Sequence, residues 1–362
     1  MTDHETSLTV LNVDQMVNLL SCAYIRLLKS KTPLRSFPAV MLWGPPGVGK
    51  SQGVRQIAEN IRTKTGKQVE ITDVRLLLFN PVDLRGIPTA NEDKTLAVWL
   101  KPKIFQMDDS SGVVNILLLD EITAAPQSVQ AAAYQITLDR MIGEHRLPDN
   151  CIVIAAGNRI TDKSVAYTMP RALANRMLHI EIRGDADSWH DWAVARGVHP
   201  FVTSYLEYNP VALLRTDAPE ANLAFPTPRS WEMVSNILNT ISDRIEIVAP
   251  LVSGCIGEQT AYLFRKWCSV FKELPKAEKV FAGERVTLQN TPELQTAFRS
   301  LMVAYARMHP EKELIDRSIE FALGQPWSFR GELLHDYKCI PGLKQILEEN
   351  PVYRDAVKAG MK

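Results

Sequence analysis

The chain lacks several features that would assign it quickly. Its five cysteines (Cys22, Cys151, Cys255, Cys268, Cys339) are far apart, odd in number and contain no C-x-x-C pair. That argues against a disulfide framework and fits a reducing compartment. Neither sign of charge is in excess, with 41 Lys+Arg against 41 Asp+Glu. There is thus no overall electrostatic drive toward nucleic acid or an anionic membrane. No apolar run approaches the ~18 residues that span a bilayer. The opening "MTDHETSLTV" has neither the basic nor the apolar region of a secretory leader, so the expected location is the cytoplasm. The seven histidines show no H-x-x-x-H spacing. No internal repeat or low-complexity segment is present. These absences leave a globular chain of 362 residues, long enough for one large domain or two to three smaller ones.

The apolar patterning is more specific. Leu8–Lys31 carries leucine, valine and methionine at helical spacing and predicts a helix. Five short segments read as strands: Phe37–Trp43, Gln68–Val74, Val113–Leu119, Cys151–Ala156 and Met177–Ile182. "VVNILLL" is a continuous apolar run of the kind buried on both faces of a parallel sheet. Helical segments at Ser51–Thr63 and Ala125–Asp139 alternate with the strands, the second with Pro126 near its start. The expected class is α/β, a five-stranded parallel sheet between helices. Beyond Arg183 the strand signal fades. An all-α domain is expected over residues 186–275, then a helical tail over 276–362, leaving residues 1–185 as the α/β domain.

Four motifs carry chemistry. "GPPGVGKS" (Gly44, Pro45, Pro46, Gly47, Val48, Gly49, Lys50, Ser51) fits G-x-x-x-x-G-K-[ST] after a strand and before a helix. Glycines let backbone N–H groups wrap phosphate, and the helix N-terminus adds its positive end. Lys50 would reach the β/γ-phosphates of ATP, and the Ser51 hydroxyl would ligate Mg²⁺. "ILLLDE" delivers Asp120 and Glu121 at the carboxyl end of a strand. Asp120 suits the metal and Glu121 the attacking water, which points to hydrolysis. "AAGN" places Asn158 at the end of the next strand, to contact the γ-phosphate or orient the water, or simply to occupy a turn. These three pieces share the edge of a parallel sheet at which ligands bind. "TPRS" puts Arg229 in the first turn of a later helix, capped by Thr227 with Pro228 at N1. A cation there opposes the helix dipole, so contact with phosphate is one use and a solvated arginine the other.

In this order the motifs resemble those of the AAA+ ATPases, and of their MoxR-like branch. The resemblance spans roughly residues 8–275. It makes "GPPGVGKS" the Walker A and "ILLLDE" the Walker B motif, with Asn158 as sensor 1 and Arg229 as sensor 2. It places a pre-sensor hairpin at Arg140–Asn150 and a helix-2 insert at Asn80–Phe105. It also implies a homo-oligomer, a hexameric ring, that remodels or activates a partner protein, often together with a separate von Willebrand A domain protein. A nucleic-acid-dependent motor is the alternative, and the balanced charge stands against it.

Arg176 lies in "MPRALANRMLHIEI", between a short helix and the strand Met177–Ile182. In a parallel sheet it falls at the amino end of its strand, opposite Walker A. A strand of this length spans about 20 Å, and an arginine reaches roughly a third of that. Arg176 is therefore expected to serve a neighbouring subunit as an arginine finger rather than its own nucleotide, with Arg171 as the runner-up and a surface ion pair as the bland alternative. Where the family often has Asp-Arg-Phe, this chain has Asn175-Arg176-Met177.

Overall fold

A computed structural model describes residues 8–162, 167–215 and 223–358. The chain forms two compact units, Met1–Gly184 and Asp185–Lys362.

The first unit contains β1 (Thr9–Leu11), β2 (Ala39–Trp43), β3 (Gln68–Arg75), β4 (Ile87–Ala90), β5 (Ala97–Leu100), β6 (Val113–Asp120), β7 (Met141–Ile142), β8 (His145–Arg146), β9 (Cys151–Gly157) and β10 (Met177–Ile182). Six of them make one sheet in the order β1-β10-β2-β9-β6-β3, every neighbouring pair parallel. β4–β5 and β7–β8 are antiparallel hairpins. The helices are α1 (Val13–Lys29), α2 (Lys50–Thr65), α3 (Pro81–Arg85), α4 (Gln127–Leu138) and α5 (Arg171–Ala174).

The sheet is buried on both sides, which is why its strands carry apolar runs without alternation. Met41, Leu117, Leu119 and Val153 pack with Val129, Ala133 and Ile136 of α4. The alternate residues Val40, Leu42, Ile116, Leu118 and Ile154 are equally buried and by the two-residue period face the other way. Helices α1 and α2 lie close together because Gly53 has no side chain: a Cβ there would stand 2.4 Å from Met16 Cε.

The sixth strand departs from the five expected. Thr9–Leu11 falls inside the stretch read as helix from Leu8, yet pairs with β10 (Thr9 opposite Ile180). Asn12 explains the break. Its Oδ1 accepts from the Gln15 N–H (2.8 Å), and the Gln15 side chain accepts from the Asn12 N–H (3.1 Å). This capping box starts α1 at Val13 and leaves the three preceding residues free to extend along the sheet edge.

All elements described in the second unit are helical or 3₁₀. They are α6 (Ala186–Arg196), α7 (Pro200–Tyr208), α8 (Pro228–Thr240), α9 (Ile245–Ile256), α10 (Glu258–Val270), α11 (Ala277–Phe281), α12 (Pro292–Met308), α13 (Lys312–Leu323), α14 (Trp327–Cys339), α15 (Leu343–Glu349) and α16 (Pro351–Lys358). One apolar core gathers Tyr205, Trp231, Phe264 and Trp267; another gathers Phe281, Phe298, Phe329 and Tyr337. Part of the loop-like stretch Pro210–Pro228, residues 216–222, lies outside the described residues. No helix among the described residues is long and apolar enough to cross a membrane.

Candidate nucleotide site

β2 ends at Trp43, and the chain turns through Gly44–Gly49 into α2. Gly44 is required by close approach as well as by conformation: φ is +153°, and a Cβ would stand 2.6 Å from the Ile182 carbonyl oxygen. Gly49 precedes the helix at φ +107° and brings no side-chain cap. The first N–H groups of α2 are thus left for a ligand, as phosphate binding at a helix N-terminus requires.

The buried Lys50 ammonium donates to the Gly44 and Pro45 carbonyls (2.6 and 3.1 Å) and to Asn158 Oδ1 (3.0 Å). The Ser51 hydroxyl donates to Asp120 Oδ2 (2.7 Å). Two pairs of hydrogen-bonded side chains therefore join the start of α2 to the ends of β9 and β6. The side chains expected together at the carboxyl edge from Walker A, Walker B and Asn158 are brought together there.

Glu121 follows at once. Its backbone is left-handed, φ +57°, a conformation that costs an L-residue about 1–2 kcal/mol. The neighbours impose it: Glu121 N–H donates to Asp120 Oδ1 (2.9 Å), its carbonyl accepts from Ala124 N–H (3.0 Å), and Ile122 N–H donates to the Ala156 carbonyl (3.0 Å). The turn swings Glu121 out of the line of β6 while Asp120 keeps its bond to Ser51.

Three contributors had no sequence signal. The buried Thr123 accepts from the Asn158 N–H (3.0 Å), and its carbonyl accepts from Tyr167 N–H (2.6 Å). It holds the end of β9 against the Walker B turn, and Gly157 is small because a Cβ would meet the Thr123 hydroxyl at 2.7 Å. Next to Asn158, Arg159 pairs with Asp162 (2.8 Å) and Glu181 (2.7 Å), binding the loop after β9 to the end of β10. Those carboxylates hold the Arg159 pKa above its ordinary value, the Asp162 hydrogen bond foremost. Trp43 and His179 form the third. Trp43 Nε1 donates to His179 Nδ1 (2.9 Å), so the ring proton sits on Nε2, which donates to the Ala174 carbonyl (2.6 Å). This ties the end of α5 to the residue that precedes the phosphate loop.

Arg176 lies at the opposite edge. Met177 is in register with Ala39, and Glu181 with Trp43. Four residues at about 3.3 Å each put about 13 Å between that end of the sheet and the start of the loop, beyond the roughly 7 Å reach of an arginine. The side chain is exposed and lines a surface cavity of about 540 Å³ with Arg85, Trp99, Gln135 and Glu144. Among the described residues Arg176 makes no ion pair, so the surface-pair alternative finds no partner there. Arg171 is also exposed, at the first position of α5.

The segment between β3 and β6 carries α3 and the β4–β5 hairpin. Asp83 accepts from the Asn80 N–H (2.7 Å) and so caps α3. Asn91 organises the hairpin turn, its Oδ1 accepting from Thr95 and Leu96 N–H (2.8 and 3.1 Å). The Trp99 carbonyl is bonded to His145 Nε2 (2.8 Å), which joins this hairpin to β7–β8.

Arg229 belongs to the second unit. It follows Pro228 at the start of α8, where Thr227 and Ser230 form a reciprocal cap (3.0 and 2.8 Å). It is exposed and makes no ion pair among the described residues.

Residues 39–179 match the family described as "ATPase family associated with various cellular activities (AAA)". No curated protein matches the chain. Among solved structures it is similar to C. elegans PCH-2, at 13% identity and TM-score 0.33, over 82% of this chain and 68% of that one. A Thermotoga maritima RuvB mutant aligns at 14% identity and TM-score 0.36, over 97% and 89%. A putative ATPase from Cytophaga hutchinsonii aligns at 15% identity and TM-score 0.33, over 91% and 93%. The family match lies within the first unit, and together with the side chains gathered at its carboxyl edge it supports ATP binding and hydrolysis there.

Proposed function

We propose that the chain is a subunit of a closed ring, six-membered and MoxR-like, that couples Mg²⁺-dependent ATP hydrolysis to remodelling or activation of a partner protein in the cytoplasm. The observation that carries this reading is the division of charged groups between the two edges of one sheet. Lys50, Ser51, Asp120, Glu121 and Asn158 stand at the carboxyl edge, and Arg176 stands without an ion-pair partner among the described residues at the amino edge. An arginine that cannot reach the phosphates of its own subunit is placed to add its charge to the departing phosphate of a neighbour.

Within one subunit, Gly44–Gly49 and the start of α2 cradle the phosphates through backbone N–H groups. Lys50 exchanges its carbonyl partners for the β/γ-phosphates. The Ser51 hydroxyl and Asp120 carboxylate already converge within 2.7 Å, an oxygen donor set that fits a hard cation. Bound there, Mg²⁺ would neutralise charge on the phosphate oxygens. Glu121 polarises the attacking water and takes its proton. Asn158 shares the γ-phosphate with Lys50 and helps orient that water. Arg229 is the sensor 2 arginine that the family resemblance supplies.

Ile87, Leu96 and Leu100 are each more than half exposed on the β4–β5 hairpin. Apolar groups left in water on a projecting element suit contact with another protein. A separate von Willebrand A domain protein is the partner class that the family resemblance supplies.

The test is Glu121→Gln. It keeps Asp120 and Ser51 and removes the carboxylate that polarises water. ATP affinity by titration calorimetry should match the parent, with turnover reduced at least about a hundredfold, the scale of a general-base contribution. Turnover near the parental rate would move the role to another residue.

A further inference from the structure

A second polar constellation lies in the helical unit, on residues given no role above. His335 and Cys339 are four residues apart on α14 and so share one face. Asp191 on α6 faces them. His335 Nε2 stands 2.7 Å from Asp191 Oδ1 and 4.0 Å from Cys339 Sγ. The three donor atoms all lie within 4.8 Å of one another.

The arrangement has a specific chemical meaning. In a nucleophilic cysteine triad the imidazole uses one nitrogen for the thiol and the other for the carboxylate. Here the thiol and the carboxylate address the same nitrogen, which cannot relay a proton between them. Convergence of one sulfur, one nitrogen and one oxygen on a common point is what a metal ion requires. With bonds of about 2.0–2.3 Å, tetrahedral zinc sets its ligand atoms about 3.3–3.6 Å apart. The Asp191–His335 contact has to open by roughly 0.6 Å and the His335–Cys339 contact to close by about as much, within the range of side-chain rotation. The histidine and aspartate side chains are 47% and 41% exposed, so an ion can enter from solvent.

A second observation concerns the backbone. One residue from each of those two ligands, His190 pairs with Asp336 (2.9 Å); Asp336 is buried and His190 largely so. Asp336 is also held by the buried Arg299 (3.2 Å), which bonds in addition to Glu207 and Glu332. This network fixes the register of α6 against α14 immediately beneath Asp191 and His335. The ligand positions are therefore set by buried contacts, the support that a metal site needs.

We infer that Asp191, His335 and Cys339 bind one Zn²⁺ ion, with a fourth position left to water, and that the ion clamps α6 to α14. Thiolate and imidazole donors favour zinc over the Mg²⁺ of the nucleotide site, which takes oxygen ligands. On ligation the Cys339 thiol releases its proton to solvent and binds as thiolate.

The experiment uses the full chain, stripped of metal and free of nucleotide, with Co²⁺ as the spectroscopic probe and Zn²⁺ as competitor. Co²⁺ should produce a thiolate-to-metal charge-transfer band that saturates at one equivalent and is erased by Zn²⁺. The band should be lost in Cys339→Ser and in His335→Ala, weakened in Asp191→Asn and unchanged in Cys22→Ser, which removes an exposed thiol. Zn²⁺ should raise the melting midpoint of the parent and of Cys22→Ser in full, of Asp191→Asn in part, and of Cys339→Ser and His335→Ala not at all. All three site residues are partly open to solvent, and circular dichroism checks that each variant folds. No band in the parent, a band that survives Cys339→Ser, or one that disappears in Cys22→Ser would overturn the assignment.

Discussion

The two edges of the parallel sheet are built in opposite ways. At the carboxyl edge the polar side chains are tied in pairs, Lys50 to Asn158 and Ser51 to Asp120, and Glu121 is held in a left-handed turn. At the amino edge Arg176 is exposed and makes no ion pair among the described residues. The first edge is organised before its ligand arrives, and the second presents a charge for which the described residues supply no counterpart. On the proposed function, this one sheet supplies two different halves of a site, and a complete site takes two copies.

The largest expected effect removes the anchor of the first edge. Lys50→Ala deletes the bonds to the Gly44 and Pro45 carbonyls and to Asn158 Oδ1, and with them the cation proposed to take the β/γ-phosphates. Hydrogen bonds to charged groups are worth about 1.5–3 kcal/mol each, so ATP affinity should fall by about a hundredfold or more. Titration calorimetry reads this directly, and unchanged affinity would remove the site from this edge.

A smaller effect is expected at the tip of the β4–β5 hairpin. The turn Asn91–Lys94 leaves basal hydrolysis nearly intact when Glu92–Lys94 become Gly/Ser and Asn91 is kept to hold the turn. Stimulation by the partner protein should weaken severalfold. Loss of basal activity with stimulation preserved would contradict the separation of partner contact from chemistry.

The smallest effect tests the organisation of the carboxyl edge. Glu121→Gly abolishes turnover, yet relieves a left-handed residue worth about 1–2 kcal/mol. Set against about 0.5–1 kcal/mol of extra glycine chain entropy, the first unit gains up to about 1.5 kcal/mol. Thermal melts should show a rise of a few degrees at most. Arg176 has no positive φ, so Arg176→Gly should show no gain.

Much of this was legible in the sequence because it is local. The strands read as apolar runs since both faces of the sheet are covered, and Walker A reads from contiguous residues. β1 was not legible: three residues are too few for a period, and Asn12 breaks the apparent helix. Thr123 and the Trp43–His179 bond depend on residues distant in sequence, the latter pair 136 positions apart. Spacing between histidines showed no metal pattern because the constellation in the helical unit joins a histidine to a cysteine on one helix and an aspartate on another. The role of Arg229 needs the placement of the second unit, which sequence spacing does not supply.

The central claim is that Arg176 completes the site of a neighbouring subunit, and subunit mixing tests it most directly. Arg176→Ala should bind ATP and assemble like the parent but lose hydrolysis, since an arginine finger is worth about 10³–10⁵ in rate. Glu121→Gln should be inactive for a different reason. Mixed and allowed to exchange, the two inactive proteins should regain part of the parental rate, because an intact Glu121 in one subunit then meets an intact Arg176 from the next. A mixture that stays inactive after verified subunit exchange would contradict the account.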